Sequence, residues 1–329
     1  MNDGHLRDIP EPILRMLQCP ISGAGVSRDG GSLVCETGCH RFRISESGIP
    51  LFAEAWVSDE GRTQREHYDR IAGAYLTNLS YPHTQEYTAY LDRIFLEVLD
   101  AAGRDPGRVA EICCGRGEGF LLLRDRVKTG VGVDVSLSML EGARAEFAAE
   151  GYTFLQGDAT RLPLKTAQFD TVMMLGGIHH VSDRQRLFSE VHRILVPGGL
   201  FVWREPVSDF FLWRALRWII YRVSPTLDHE TERPLLWSET VPPLERAGFR
   251  PRAWKTCGLL GFCLLMNSDV LVFNRVFRFI PGIRGIARFM AHLDEMMLKI
   301  PGMRRAGLQV VGSAVARRAP DAPSRKAGH

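Results

Sequence analysis

The chain has no long apolar run. The longest, Cys257–Met266, falls short of the roughly 20 residues that a membrane-spanning helix needs, and Asp269 follows it closely. The opening residues, MNDGHLRDIPEP, carry neither a basic patch nor an apolar core. No secretory leader is therefore expected, and the seven Cys are expected to be reduced thiols of a cytoplasmic protein. There is no internal repeat. Acidic residues are scarce in one half only: residues 200–329 hold 20 Lys/Arg and 11 Asp/Glu, against 21 and 27 in residues 1–199. A basic half suits anionic lipid, nucleic acid or an acidic substrate, and solvated surface Arg is the plain alternative. Otherwise the composition, 45% hydrophobic and 24% charged, is that of a globular protein. A length of 329 residues accommodates one full α/β domain and additional segments.

What is present is a run of buried strands, the first followed by a glycine-rich turn. Residues 109–114 read as a strand. Gly115, Gly117 and Gly119 then alternate into a helix over 118–128, and residues 131–134 form a second strand ending in Asp134. The dinucleotide fingerprint G-x-G-x-x-G would need glycine at position 120, where Phe stands, so the turn is not shaped for a pyrophosphate. A carboxylate at the end of the second strand can accept hydrogen bonds from ribose hydroxyls. Further strands are expected at 153–156, 169–175, 200–204, 250–256 and 308–315. Helices are expected over 136–150 (Ser136 as N-cap), 183–195 and 238–247. Near-continuous apolar strands alternating with helices argue for a parallel, doubly wound sheet.

The run Val109-Ala-Glu-Ile-Cys-Cys-Gly115-Arg-Gly117-Glu-Gly119 with Asp134 resembles motif I and the ribose-binding acid of class I S-adenosylmethionine (SAM) methyltransferases. More narrowly it resembles the ubiquinone/menaquinone methyltransferase-like group and the sugar and natural-product O-methyltransferases. The resemblance implies a Rossmann-like seven-stranded α/β sheet binding SAM and releasing S-adenosylhomocysteine. It implies that Glu111 lies near the amino-acid part of the cofactor, with Gly115 and Gly117 letting the backbone approach the methionine moiety. Cys113 replaces the first glycine of the commoner pattern. Asp134 would hold the ribose. Val135, Ser136 and Met139 would flank the adenine, and Asp158 and Ala159 would read its amino group. Leu175 and Gly176 would sit beside the sulfonium. The run Tyr68-Asp-Arg-Ile-Ala-Gly-Ala-Tyr75, in a helical stretch over 56–105, resembles the family's pre-core helix, with Tyr68 and Tyr75 closing over the cofactor.

Gly176-Gly177-Ile178-His179-His180 follows the fourth strand of the sheet, and Glu205 follows the fifth. A paired His and an acid at these places resemble the constellation of the O-methyltransferases. An alcohol needs a base as it is methylated, and imidazole titrates in the right range. His180 is preferred as base over His179, with Glu205 orienting the ring. The alternative is that the pair only shapes the pocket.

Residues 1–55 read as a small β-rich module. Cys19-Pro-Ile-Ser22, Cys35, Cys39 and Gly48-Ile-Pro50 resemble the zinc-ribbon-like module found before some methyltransferase domains and in the activator subunit of tRNA methyltransferases. The matching ligand positions are Cys19, Cys35 and Cys39, with Ser22 where the second Cys would be. Zinc usually requires four Cys or His, and His40 or His5 could supply the last ligand. The incomplete set leads us to expect a module held by packing.

The methyltransferase domain is expected over 106–316. Insertions at 206–237 and 257–306 form a cap, and residues 317–329 form a disordered tail. The stretches Asp209–Arg222 and Phe273–Phe289 read as apolar helices bearing Arg. Such helices roof an apolar pocket or lie on a membrane surface. Asp228-His229-Glu230 reads as a solvated turn. The expected function is therefore methylation of a small, partly apolar metabolite, at oxygen first of all, with peripheral membrane contact through the insertions. Methylation of an RNA base ranks second, since the basic half suits phosphate; no Asn-Pro-Pro-Tyr type motif follows the fourth strand. A catalytically silent partner subunit ranks third, because the cofactor motifs are intact.

Overall fold

A computed structural model describes residues 9–215, 233–266 and 272–317; the side chains of 70–78, 272 and 273 lie outside the described part. Seven strands form one sheet: β4 (Arg108–Ile112), β5 (Thr129–Asp134), β6 (Thr153–Gln156), β7 (Phe169–Leu175), β8 (Leu195–Pro206), β9 (Phe249–Cys257) and β10 (Gln309–Ala316). Their order is β6-β5-β4-β7-β8-β10-β9. The first five run parallel, and β10 lies antiparallel between β8 and β9. This is the Rossmann-like fold expected from the alternation of apolar strands and helices. The order reverses between β4 and β7, and a reversal opens a crevice at the carboxyl ends of the strands.

Helices α4 (Glu118–Leu122), α5 (Leu137–Glu146) and α6 (Arg184–Ile194) connect the parallel strands. Ser136 caps α5 by accepting the Met139 N–H at 3.3 Å. Asp183 caps α6 in the same way through Arg186 N–H, 3.0 Å. α4 stops well before residue 128, because Leu123 leaves helical geometry at φ −115°. β8 begins at Leu195 and runs through Pro197-Gly198-Gly199, ahead of the strand expected at 200–204. The register shifts there against β7, and Gly198 at φ +82° forms the bulge.

Ahead of the sheet, α1 (Glu11–Leu14) leads to a three-stranded antiparallel ribbon of β1 (Val26–Asp29), β2 (Ser32–Cys35) and β3 (Arg41–Arg43). Leu14, Leu17, Leu33, Phe42 and Phe52 of this ribbon region join the apolar core that continues under the main sheet through Leu162, Leu164 and Phe188. Two long helices follow, α2 (Asp59–Leu79) and α3 (Pro82–Asp100). The late elements are α7 (Trp237–Arg246), α8 (Leu260–Leu265) and α9 (Ile283–Leu298). The continuous helix expected over 273–289 is broken: a 3-10 turn, Val272–Phe279, precedes Pro281 and Gly282, and Gly282 at φ +74° starts α9. Residues 211–215 are helical. The rest of that cap segment, with Arg217, Arg222 and Asp228-His229-Glu230, lies outside the described residues, as does the tail from 318.

Candidate active site

Most of the sheet is fully buried, but its carboxyl edge is not. Cys113, Gly115, Asp134, Val135, Leu175, Gly176, His179 and His180 are half-buried where β4, β5 and β7 end. Gly115 (φ +51°) and Gly117 (φ +82°) hold left-handed conformations that favour glycine. The Gly115 N–H donates to Asp134 Oδ2 at 2.8 Å, and the Ser136 N–H donates to Oδ1 at 2.9 Å. The glycine loop and the strand-end carboxylate are thus one unit. Burial raises the Asp134 carboxyl above its ordinary range, and those backbone N–H groups oppose the shift.

Cys113 departs from the glycine pattern and keeps the glycine's geometry, at φ +53°. Its side chain packs against Gly177, opposite it after β7. Burial pushes this thiol well above its ordinary range.

Beyond β7 a short 3-10 turn, Ile178–His180, carries both imidazoles. Glu205, fully buried at the end of β8, accepts the N–H groups of Gly177 and Ile178 through Oε1, each at 2.8 Å. Its Oε2 lies 2.7 Å from His179 Nδ1. The acid therefore grips His179, not the preferred His180. The two rings lie 3.8 Å apart between centroids. His180 Nε2 turns instead to the Tyr68 hydroxyl, at 3.2 Å.

Two expected cofactor contacts have other partners. Glu111 is completely buried and caps α4, accepting Gly119 N–H at 2.8 Å and Phe120 N–H at 3.1 Å. Burial, with the charge of Glu118, pushes its carboxyl up to about 8. Asp158 Oδ2 accepts the Ser58 N–H (3.0 Å) and hydroxyl (2.6 Å), and Oδ1 accepts the Thr160 N–H at 2.8 Å. It anchors α2 instead of standing free for an adenine.

That anchor is one of four. Glu60 accepts the Ser182 N–H at 3.1 Å, Tyr68 meets His180, and Asp69 Oδ1 accepts the hydroxyls of Ser136 (2.5 Å) and Ser138 (2.9 Å). The helix is tied to the loops after β5, β6 and β7, across the crevice. Ser58, Glu60 and Asp69 were not anticipated from the sequence. Ser58 could have been, as an N-cap serine: its hydroxyl accepts the Gly61 N–H at 3.0 Å. The side chain of Tyr75 lies outside the described residues.

A profile described as a methyltransferase domain matches residues 110–203. An uncharacterized methyltransferase of Synechocystis is 32% identical over 149 residues, 44% of this chain and 68% of that protein. The chain belongs to the SAM-dependent methyltransferases. A demethylmenaquinone methyltransferase of Symbiobacterium thermophilum is 33% identical over 124 residues, 35% of this chain. The match spans only 49% of that relative's length. A SAM-dependent methyltransferase structure from Thermotoga maritima overlays with a TM-score of 0.49 at 22% identity, over 77% of this chain and 99% of that one.

The cofactor of this methyltransferase is SAM, and the crevice fits one. A Cβ added to Gly176 would meet nothing within 4 Å, so there is open space beside Leu175. Gly115, Asp134, Val135 and Gly176 border that edge and would hold the cofactor, whereas Gly117, expected beside the methionine moiety, is buried against Phe147. Met139 and Ala159 are buried behind it.

The ribbon brings together a different thiol set from the expected one. Cys19, Cys35 and His40 place their ligand atoms within 4.8 Å of one another. Ser22 Oγ stands 3.2 Å from Cys35 Sγ. Cys39 is exposed, and its thiol faces the Thr37 carbonyl at 3.6 Å. Three N/S donors and a neutral hydroxyl are not the four-ligand set of a closed zinc site. Among the described residues the set is one ligand short, and His5, the other expected candidate, lies outside them.

Proposed function

We propose that this methyltransferase transfers a methyl group to an oxygen of a small, partly apolar metabolite, with His179 as base. One observation carries the reading: a fully buried carboxylate, Glu205, holds His179 Nδ1 at 2.7 Å beside the cofactor crevice. SAM, when bound, supplies an electrophilic methyl group. Glu205 is itself fixed by the backbone N–H groups of Gly177, Ile178 and His179, and its Oε2, facing the ring, selects the tautomer with hydrogen on Nδ1. His179 Nε2 is then the nitrogen that takes the proton of the acceptor hydroxyl, and Glu205 stabilises the resulting imidazolium. His180 and Tyr68 shape the neighbouring wall.

Relatives named for demethylmenaquinone and for 2-phytyl-1,4-beta-naphthoquinone support an apolar ring acceptor. Among the described residues no helix is long and apolar enough to cross a membrane. An acceptor of this kind partitions into lipid, and the reading includes peripheral contact with a bilayer as its source.

The test is mass spectrometry of hydroquinones, phenols and lipid extracts incubated with the protein and deuterated-methyl SAM. A three-deuterium tag on an oxygen of an apolar acceptor is expected. A tag found on RNA bases instead would overturn the reading.

A further inference from the structure

Helix α9 has two apolar faces. Ile283, Ala287, Ala291 and Leu298 are buried, and they recur at helical spacing on one side. On the other side Ile286, Phe289, Leu293 and Met296 recur at three and four residues and face solvent; Phe289 is 64% exposed and Met296 53%. The chain just before α9 adds Phe279, 72% exposed, and the chain just after adds Ile300, 52% exposed. A globular helix normally buries its apolar stripe, so a second stripe facing water needs an occupant.

The helix is also held rigidly. Asp294, buried on its inner face, accepts the Tyr87 hydroxyl at 3.0 Å and the N–H groups of Leu259 (2.7 Å), Gly261 (3.0 Å) and Phe262 (3.0 Å). α3, α8 and α9 are thereby locked together, and the outer stripe cannot turn inward.

The rim of the stripe is cationic. Arg278, Arg284, Arg288 and Lys299, on α9 or beside it in the chain, are exposed, as are Arg304 and Arg305 a few residues after it. Arg284 and Arg288 share the single carboxylate of Glu86, so a positive charge remains there. Lys299 is 3.5 Å from Glu295. Two identical copies meeting on this face would bring like charges together. An anionic bilayer complements both the apolar stripe and the rim.

We propose that the outer face of α9, with Phe279 and Ile300 at its ends, docks on an anionic lipid surface. It would rest shallowly in the interface, apolar side chains in the acyl boundary and Arg and Lys at the phosphates. The purpose rests on the apolar-acceptor reading above; the binding itself does not.

The test is co-sedimentation of the full chain with vesicles of phosphatidylcholine alone and of phosphatidylcholine with phosphatidylglycerol. Strong binding to the mixed vesicles, weakened by salt, is expected. The double substitution Phe279→Asp with Phe289→Asp should lower the bound fraction at least tenfold. Its SAM-induced thermal shift and its methyl transfer to a water-soluble acceptor should match those of the wild type, showing that it is folded. Arg304→Glu with Arg305→Glu should weaken binding to the mixed vesicles. The proposal is overturned if the wild type stays in the supernatant at low salt, or if the double variant binds as well as the wild type. It is equally overturned if sedimentation velocity shows a dimer that the double substitution dissociates. Vesicle binding without any methyl transfer would sink the acceptor reading and leave the docking face standing.

Discussion

A Cβ placed on Gly177 would lie 2.5 Å from the Cβ of Cys113. The loops after β4 and β7 therefore meet at a point where only one of them can carry a side chain. Cys113 already holds φ +53°, a conformation costing an L-residue about 1–2 kcal/mol. The missing glycine of the cofactor loop is matched by a glycine across the crevice.

Gly177→Ala should destabilise the fold by about 2 kcal/mol through overpacking. The same change in a Cys113→Gly background should cost at least about 1 kcal/mol less, since the opposing Cβ is gone. Urea unfolding of the four proteins in this cycle measures the coupling. Additive costs would mean that the two loops do not constrain each other.

Replacing His179 with Ala should lower kcat by about 10²–10⁴, the usual contribution of a general base. SAM binding, read as a thermal shift, should persist. His180→Ala should lose far less, because Glu205 does not hold that ring. A larger loss at His180 than at His179 would reverse the assignment.

Asp158→Ala should release the start of α2. The Ser58 and Thr160 N–H groups lose their acceptor, a cost of about 2 kcal/mol. Hydrogen exchange should quicken at residues 58–61. If cofactor affinity falls while exchange there is unchanged, Asp158 contacts the cofactor and does not serve as an anchor.

Glu111 predicts a pH slope. Its carboxyl moves from the ordinary 4.5 to about 8 in the folded protein. A raised folded value favours the protonated native state. The contribution is therefore complete below pH 4.5 and is lost as pH rises toward about 8. Glu111→Gln should flatten the urea midpoint across this window, at a cost of about 1 kcal/mol for one weakened N–H bond. A variant with the wild-type slope would rule Glu111 out as its source.

Metal analysis of the purified protein should find zinc well below one per chain, and EDTA should leave Tm unchanged. The ribbon is held by Leu17, Leu33, Phe42 and Phe52, all at 1% exposure or less. Stoichiometric zinc, with loss of the ribbon on chelation, would show that Cys19, Cys35 and His40 suffice as ligands.

Much of the sheet could be read in advance, because strands buried on both faces write themselves as unbroken apolar runs. Residues 153–156 and 169–175 match β6 and β7 as they stand. Less could be read where glycine or proline acts through tertiary contacts. The bulge at Gly198 extends β8 backwards, and Pro281-Gly282 breaks a helix whose residue pattern looked continuous. For the site, strand-end positions were foreseen for Asp134, His179 and Glu205. That Glu205 would orient an imidazole was foreseen as well; that the ring would be that of His179 was not.

The sequence by itself determined the fold class and the glycine loop, since burial period and backbone freedom are local properties written in order along the chain. The tertiary structure alone decided the partners of each carboxylate. Glu111, Asp158 and Glu205 look alike as acids at strand ends, yet one caps α4, one anchors α2 and one holds His179. The reason is physical: a buried carboxylate takes whichever N–H groups the packing brings to it, and a donor can lie as far along the chain from its acceptor as Ser58 does from Asp158.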